Sequence, residues 1–193
     1  MSLATMRIIA GRHRGRRIRA PEGLGTRPML DRVREAMFAT LMPWIPEANV
    51  LDLFAGSGSL GIEALSRGAR RARLVERHAP TVALLRENVA ALGLADQTTA
   101  IRGDALAVTS WGDASAPYDL IFMDPPYALV ESPETRKAML AALATLTRER
   151  LVADGYLVLH APRGLLHDDD FATGLGLAHR EYGTNSLWYV SRG

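Results

Sequence analysis

From residue 49 onward, short apolar runs alternate with segments whose apolar positions recur every three or four residues. Glycine, proline or aspartate marks most of the boundaries. Val50-Leu51-Asp52-Leu53-Phe54 reads as a buried strand, 55–59 as a loop, and 60–67 as a helix stopped by Gly68. A second strand is predicted at 73–76. An amphipathic helix follows at 80–92, with Val82, Leu85, Val89 and Leu92 on one side. Strands at 98–102 and 120–123, a helix at 134–147 and a strand at 156–160 continue the alternation. Segments 177–182 and 186–190 then close the chain as a hairpin around Gly183-Thr184-Asn185. Upstream, 31–42 is a predicted helix with Val33, Met37 and Leu41 as its buried stripe, closed by Pro43 and Pro46. Segments 7–11 and 16–21 flank a Gly/Arg/His turn and predict a two-stranded arm, which must dock or bind something to persist. Residues 1–5, before Met6, read as a vector remnant or an alternative start and are set aside. The pattern specifies an α/β fold, Rossmann-like, with a mostly parallel seven-stranded sheet and an antiparallel C-terminal hairpin. It is expected as an arm over 1–30 and one domain over 31–193.

A chain of 193 residues with 48% hydrophobic content can bury one substantial core. The absence of cysteine removes disulfides, thiolate zinc sites, iron–sulfur clusters and a cysteine nucleophile. No run is long and apolar enough for a membrane span and the N-terminus lacks a signal-peptide core, so a cytoplasmic protein is expected. Charge is unevenly placed. Residues 1–34 hold nine arginines against Glu22 and Asp31, or +7, which leaves the remainder at −5 for a net +2. A basic arm on a mildly acidic body points to a polyanion, with Arg7, Arg12, Arg14, Arg16, Arg17 and Arg19 as the candidate nucleic-acid contacts.

Gly56-Ser57-Gly58-Ser59-Leu60-Gly61 follows a strand and opens a helix, the setting of a nucleotide-binding loop. The motif fits a dinucleotide as well as S-adenosylmethionine. Asp52, near the carboxyl end of the preceding strand, would repel a pyrophosphate and attract the sulfonium and ammonium groups of S-adenosylmethionine. Glu76 closes the second strand, 20 residues after Gly56, where a carboxylate accepts hydrogen bonds from ribose hydroxyls in either cofactor. Asp104 follows the third strand and suits an adenine amino group. With Asp124, these form a crescent of carboxylates along the carboxyl edge of the sheet, the edge where open α/β sheets bind ligands.

Asp124-Pro125-Pro126-Tyr127 ends the fourth strand. The prolines stop the strand and stiffen the turn. A ring amine is a poor nucleophile because its lone pair is delocalised. The Asp124 carboxylate and the Pro125 carbonyl can accept both of its N–H groups, while Tyr127 stacks on the exposed base. Reaching such an amine requires an unpaired or flipped base. The five histidines show no metal spacing, no metal is expected, and 167–170 reads as a solvated acidic loop.

With both segments in view, the chain resembles the RsmD family of class I methyltransferases, which methylate the N2 amine of one guanine in 16S ribosomal RNA. The resemblance rests on Arg7-Ile8-Ile9-Ala10-Gly11, Gly25-Thr26-Arg27-Pro28, Asp31-Arg32-Val33-Arg34-Glu35-Ala36-Met37-Phe38, Leu51 to Gly58, Leu60 to Gly68 and the Asp-Pro-Pro-Tyr quartet. It implies that Asp52, Phe54, Ala55, Gly56, Ser57, Gly58, Glu76, Arg77, Asp104, Ala105 and Asp124 contact S-adenosylmethionine. It implies further that Thr26 and Arg27 close over the methionine end and that the arm holds the RNA backbone. The implied partners are 16S rRNA in the small ribosomal subunit or an assembly intermediate, together with ribosomal proteins; the enzyme is expected to be a monomer. Met29-Leu30 departs from the small polar residues more usual in the family. The segment after Gly164 matches least, and no role is assigned there. The same amine chemistry would serve an adenine-N6 or cytosine-N4 DNA methyltransferase. The glycine loop alone would serve an NAD-dependent oxidoreductase, and the basic arm alone a non-catalytic RNA-binding module.

Overall fold

The computed structural model describes residues 3–21 and 29–193. Two strands, β1 (Leu3–Arg7) and β2 (Arg17–Pro21), pair antiparallel with Leu3 opposite Pro21 and Arg7 opposite Arg17. The first strand therefore lies upstream of the predicted 7–11. Leu3, Ala4 and Thr5, which the sequence reading set aside, are part of the ladder, and 8–16 forms the connecting loop. Helix α1 (Asp31–Leu41) follows and buries the predicted Val33, Met37 and Leu41.

The alternating core consists of β3 (Asn49–Leu53), α2 (Ser59–Ser66), β4 (Arg71–Glu76), α3 (Ala79–Ala91), β5 (Thr98–Arg102) and β6 (Tyr118–Met123). It continues with α4 (Tyr127–Glu131), α5 (Pro133–Glu149), β7 (Leu151–Pro162), β8 (Leu175–Tyr182) and β9 (Asn185–Arg192). The seven strands run β5-β4-β3-β6-β7-β9-β8, and β9 pairs antiparallel with both of its neighbours. Connections from β3 lead first to one side and later to the other. The crevice between the carboxyl ends of β3 and β6 is thus the switch point at which such sheets bind ligands.

Side chains alternate between faces along each strand, and both faces are covered. Val50, Leu74, Leu120, Phe122 and Val158 pack beneath α1, α2 and α3. Leu51, Leu53, Val75, Ile121 and Leu157 pack beneath α4 and α5. The hairpin belongs to the first of these cores, because Ile8 and Ile18 are 2% exposed and sit within it. Its loop is tied to α2 through a buried carboxylate. Glu63 accepts hydrogen bonds from the Ile9 and Ala10 N–H groups at 2.8 and 3.0 Å and pairs with Arg67. Asn88 of α3 brackets β2, accepting from Arg19 N–H and donating to the Arg19 carbonyl. Arg34, counted with the basic segment, is 1% exposed and donates to the Arg7 carbonyl and Asp31, so it is part of this docking. Trp111 is core, its indole N–H on the Ala105 carbonyl, and Trp44 packs edge-on against Tyr156. Among the described residues, no helix is long and apolar enough to cross a membrane.

Candidate active site

Parallel pairing sets Asp104, Glu76, Asp52 and Asp124 at the carboxyl ends of the adjacent strands β5, β4, β3 and β6. The chain leaves β3 through Phe54, whose φ of 62° is unfavourable for a non-glycine residue, and Gly56 (φ 54°) and Gly58 (φ 86°) complete the turn into α2. At Gly58 a Cβ would lie 2.4 Å from Leu85 Cδ1, so α3 packs directly on the loop backbone. Glu76 holds the loop from the neighbouring strand, accepting Gly56 N–H at 3.1 Å with one oxygen and His78 N–H at 2.8 Å with the other.

Asp52 departs from expectation. It is 1% exposed, and Oδ2 accepts the Gly61 N–H at 2.8 Å inside the protein. A side-chain period of two puts residue 52 on the face of Val50, beneath α2, so in the fold its carboxyl faces the α2 backbone instead of solvent. Gly61 permits the contact, since a Cβ there would sit 2.2 Å from Leu74 Cδ2 and 3.2 Å from Asp52 Oδ2. Burial, opposed by the Gly61 bond and reinforced by the charges of Asp124 and Glu76, pushes the Asp52 carboxyl up to about 8.

The other predicted residues divide by location. Ser57 is buried, with its hydroxyl on Met6 Sδ and its carbonyl accepting from Asn88, so its side chain fastens the hairpin. Ala55 and Ala105 are buried backbone positions, whereas Arg77 and Asp104 are exposed and Asp104 accepts the Leu106 N–H. Thr26 and Arg27 lie outside the described residues. Arg7, Arg12, Arg14, Arg16, Arg17 and Arg19 are all exposed; Arg16 donates to the Ala91 carbonyl and Arg19 pairs with Glu87.

At the quartet, Pro125 is buried and the Pro126 carbonyl accepts the Leu129 N–H, so Tyr127 begins α4, a short helix absent from the predicted elements. Asp124 is 26% exposed, and its Oδ1 lies 2.7 Å from His160 Nδ1. His160 Nε2 is 3.0 Å from Asn185 Oδ1, which also accepts the Tyr127 hydroxyl. The Tyr127 and His160 rings meet edge to face at 5.9 Å between centroids. Burial opposes a charge on His160, but the hydrogen bond and charge of Asp124, with Asn185, outweigh it and raise its pKa above the ordinary value. Sequence reasoning passed over both His160 and Asn185. The available signal was position: residue 160 ends a strand of the same sheet, as Asp124 does.

The acidic 168–170 segment is an exposed 3-10 turn, and no group of residues suited to a metal ion occurs among the described residues. A groove of about 440 Å³ beside α5, lined by Arg136, Leu140 and Phe171, contains none of the predicted site residues. The glycine turn, the ribose-competent Glu76 and the anionic rim fit S-adenosylmethionine, a cationic nucleoside. The rim disfavours a pyrophosphate.

Comparison with known proteins agrees. The family model described as conserved hypothetical protein 95 matches residues 6–191. Ribosomal RNA small subunit methyltransferase D of Escherichia coli K12 is 41% identical over 122 residues, which cover 63% of this chain and 60% of that protein. The matched stretch thus spans less than two thirds of that relative. Among solved structures, the E. coli protein yhhF superposes with a TM-score of 0.79 at 30% identity, covering 98% of both chains. Thermus thermophilus 16S rRNA N2 G1207 methyltransferase, solved with AdoMet and guanosine, reaches a TM-score of 0.76 at 20% identity over all of this chain and 50% of that one, a likeness of fold.

Proposed function

This chain belongs to the family described as conserved hypothetical protein 95, the RsmD family of S-adenosylmethionine-dependent rRNA methyltransferases, and we propose that its acceptor is the N2 amine of a guanine in 16S rRNA. The observation that carries the proposal is Asp124 at the switch point, with a carboxylate rim on one side and the Tyr127 ring on the other. S-adenosylmethionine, when bound, supplies a methyl group activated by its sulfonium. Glu76 is suited to the ribose hydroxyls, Asp104 to the adenine amine, and the 54–58 turn to close backbone contact. With Oδ1 engaged by His160, Asp124 offers Oδ2 to the amine N–H groups and the proton released on transfer, drawing nitrogen toward tetrahedral geometry. Tyr127 stacks on the extruded base, offsetting part of the cost of unpairing it.

The exposed arginines of the hairpin would follow the RNA backbone, and small subunits or late assembly intermediates, with their ribosomal proteins, are the substrate form proposed. The test is transfer of labelled methyl into unmodified small subunits, with duplex DNA as the competing acceptor and mapping of the labelled nucleoside. N2-methylguanosine in 16S rRNA is the expected product. Label only in adenine or cytosine of DNA would overturn the reading. Asp124→Ala is expected to abolish transfer and to leave cofactor binding measurable by calorimetry.

A further inference from the structure

We propose that His160 is a positioning residue of the acceptor site: held as an imidazolium between Asp124 and Asn185, it fixes one oxygen of the carboxylate and, through Asn185, ties it to the Tyr127 ring. The proposal rests on the reading of Asp124 as amine acceptor and Tyr127 as base platform.

The hydrogen-bond directions carry the argument. Asn185 Nδ2 donates to the Tyr182 carbonyl at 3.3 Å. The reversed amide would set oxygen against oxygen there, so Oδ1 must face the opposite way. That oxygen has two lone pairs, and two groups meet it: the Tyr127 hydroxyl and His160 Nε2. An acceptor at Nε2 requires that this nitrogen carry a proton. The other ring nitrogen faces Asp124 Oδ1 at 2.7 Å, also an acceptor, and so carries a proton as well. A ring protonated at both nitrogens is a cation, and Asp124 is its counter-ion. The groups packed around it are Asp124 after β6, Tyr127 on α4, and Asn185 with the Tyr182 backbone at the β8–β9 turn; Asp124 is the charged group that faces the ring. His160 is 1% exposed, so bulk water does not substitute for these partners.

Sheet register explains the convergence. Met123 lies opposite Leu159, which brings residues 124 and 160 side by side on one face. Pro162 lies opposite Asn185, so β9 starts beside the same point. The cation keeps Asp124 acceptor-only and oriented, and the shared Asn185 oxygen makes carboxylate and ring one unit.

Nitrogen-15 NMR of the histidine rings in the free protein, with His160 assigned by loss of its signal in His160→Asn, tests the protonation. Both His160 nitrogens are expected to be protonated at about pH 6.5, with a midpoint above the ordinary value of about 6.5. A neutral ring with one bare nitrogen at that pH would overturn the proposal. In transfer assays His160→Leu is expected to lower kcat on the order of 100-fold, as misplaced reacting groups do, with S-adenosylmethionine affinity within a few-fold of wild type. His160→Asn, which keeps a donor toward Asp124, should recover part of that loss and lack the alkaline fall in rate expected of wild type as the imidazolium deprotonates. Wild-type kcat in His160→Leu, or an unchanged alkaline limb in His160→Asn, would also refute it. Failure of the functional reading would look different: the wild-type control itself would transfer no methyl, while the NMR result would stand.

Discussion

Asp52→Asn isolates the energetic cost of the buried carboxyl at the foot of the glycine loop. In the folded protein this group sits at about 8 against an ordinary 3.8, because burial disfavours its anion more than the Gly61 hydrogen bond favours it. Between those values the folded chain holds a proton that the unfolded chain has lost. The corresponding stability is fully present below 3.8 and disappears as pH rises through about 8. At about 1.4 kcal/mol per pH unit, the whole interval amounts to on the order of 5 kcal/mol, and the part between about pH 6 and pH 9 to roughly 3 kcal/mol. Asparagine has the shape of the protonated acid. Its oxygen can keep the Gly61 bond, and its N–H₂ takes the place of Oδ1, which is buried with no hydrogen-bond partner. Urea unfolding at about pH 6, 7.5 and 9 would measure this. Wild type should lose roughly 3 kcal/mol more than Asp52→Asn across that range, at unchanged m-value. Parallel stability curves for the two proteins would refute the reasoning, since they would mean that residue 52 is ionised in the fold throughout.

The docked hairpin supplies two more tests. Glu63→Ala removes the acceptor of the Ile9 and Ala10 N–H groups and the partner of Arg67, so it should cost on the order of 3 kcal/mol in urea unfolding and expose the 8–16 loop to proteolysis. Replacing Arg12, Arg14 and Arg17 with glutamate is expected to weaken RNA binding and to flatten its salt dependence by roughly two to three in slope, measured by filter binding over a salt series; an unchanged slope would remove the hairpin from the RNA interface.

Local pattern made much of the fold legible. The strand at 98–102 has its predicted bounds, and Val82, Leu85 and Val89 on α3, with Leu92 capping its C-terminus, are buried as their spacing requires. The errors have local causes too. Ile8 still exchanges backbone hydrogen bonds with Arg16 and Gly15, but Glu63 takes the Ile9 and Ala10 N–H groups, so the predicted strand over 7–11 ends where it was expected to begin. Leu3-Ala4-Thr5 carries no signal apart from its partner strand, because a ladder is a property of two segments.

What the sequence determined by itself was the order of elements, the glycine turn and the presence of a carboxylate at or near each of four strand ends, since each depends on residues close together in the chain. Which carboxylates face the rim was decided by tertiary structure. Strand pleat and the seat of α2 turned Asp52 inward, while register brought His160 and Asn185, distant in sequence, against Asp124. Period and capping act over a few residues, whereas register and helix docking are set only when the sheet assembles, and the chemistry of this edge depends on both.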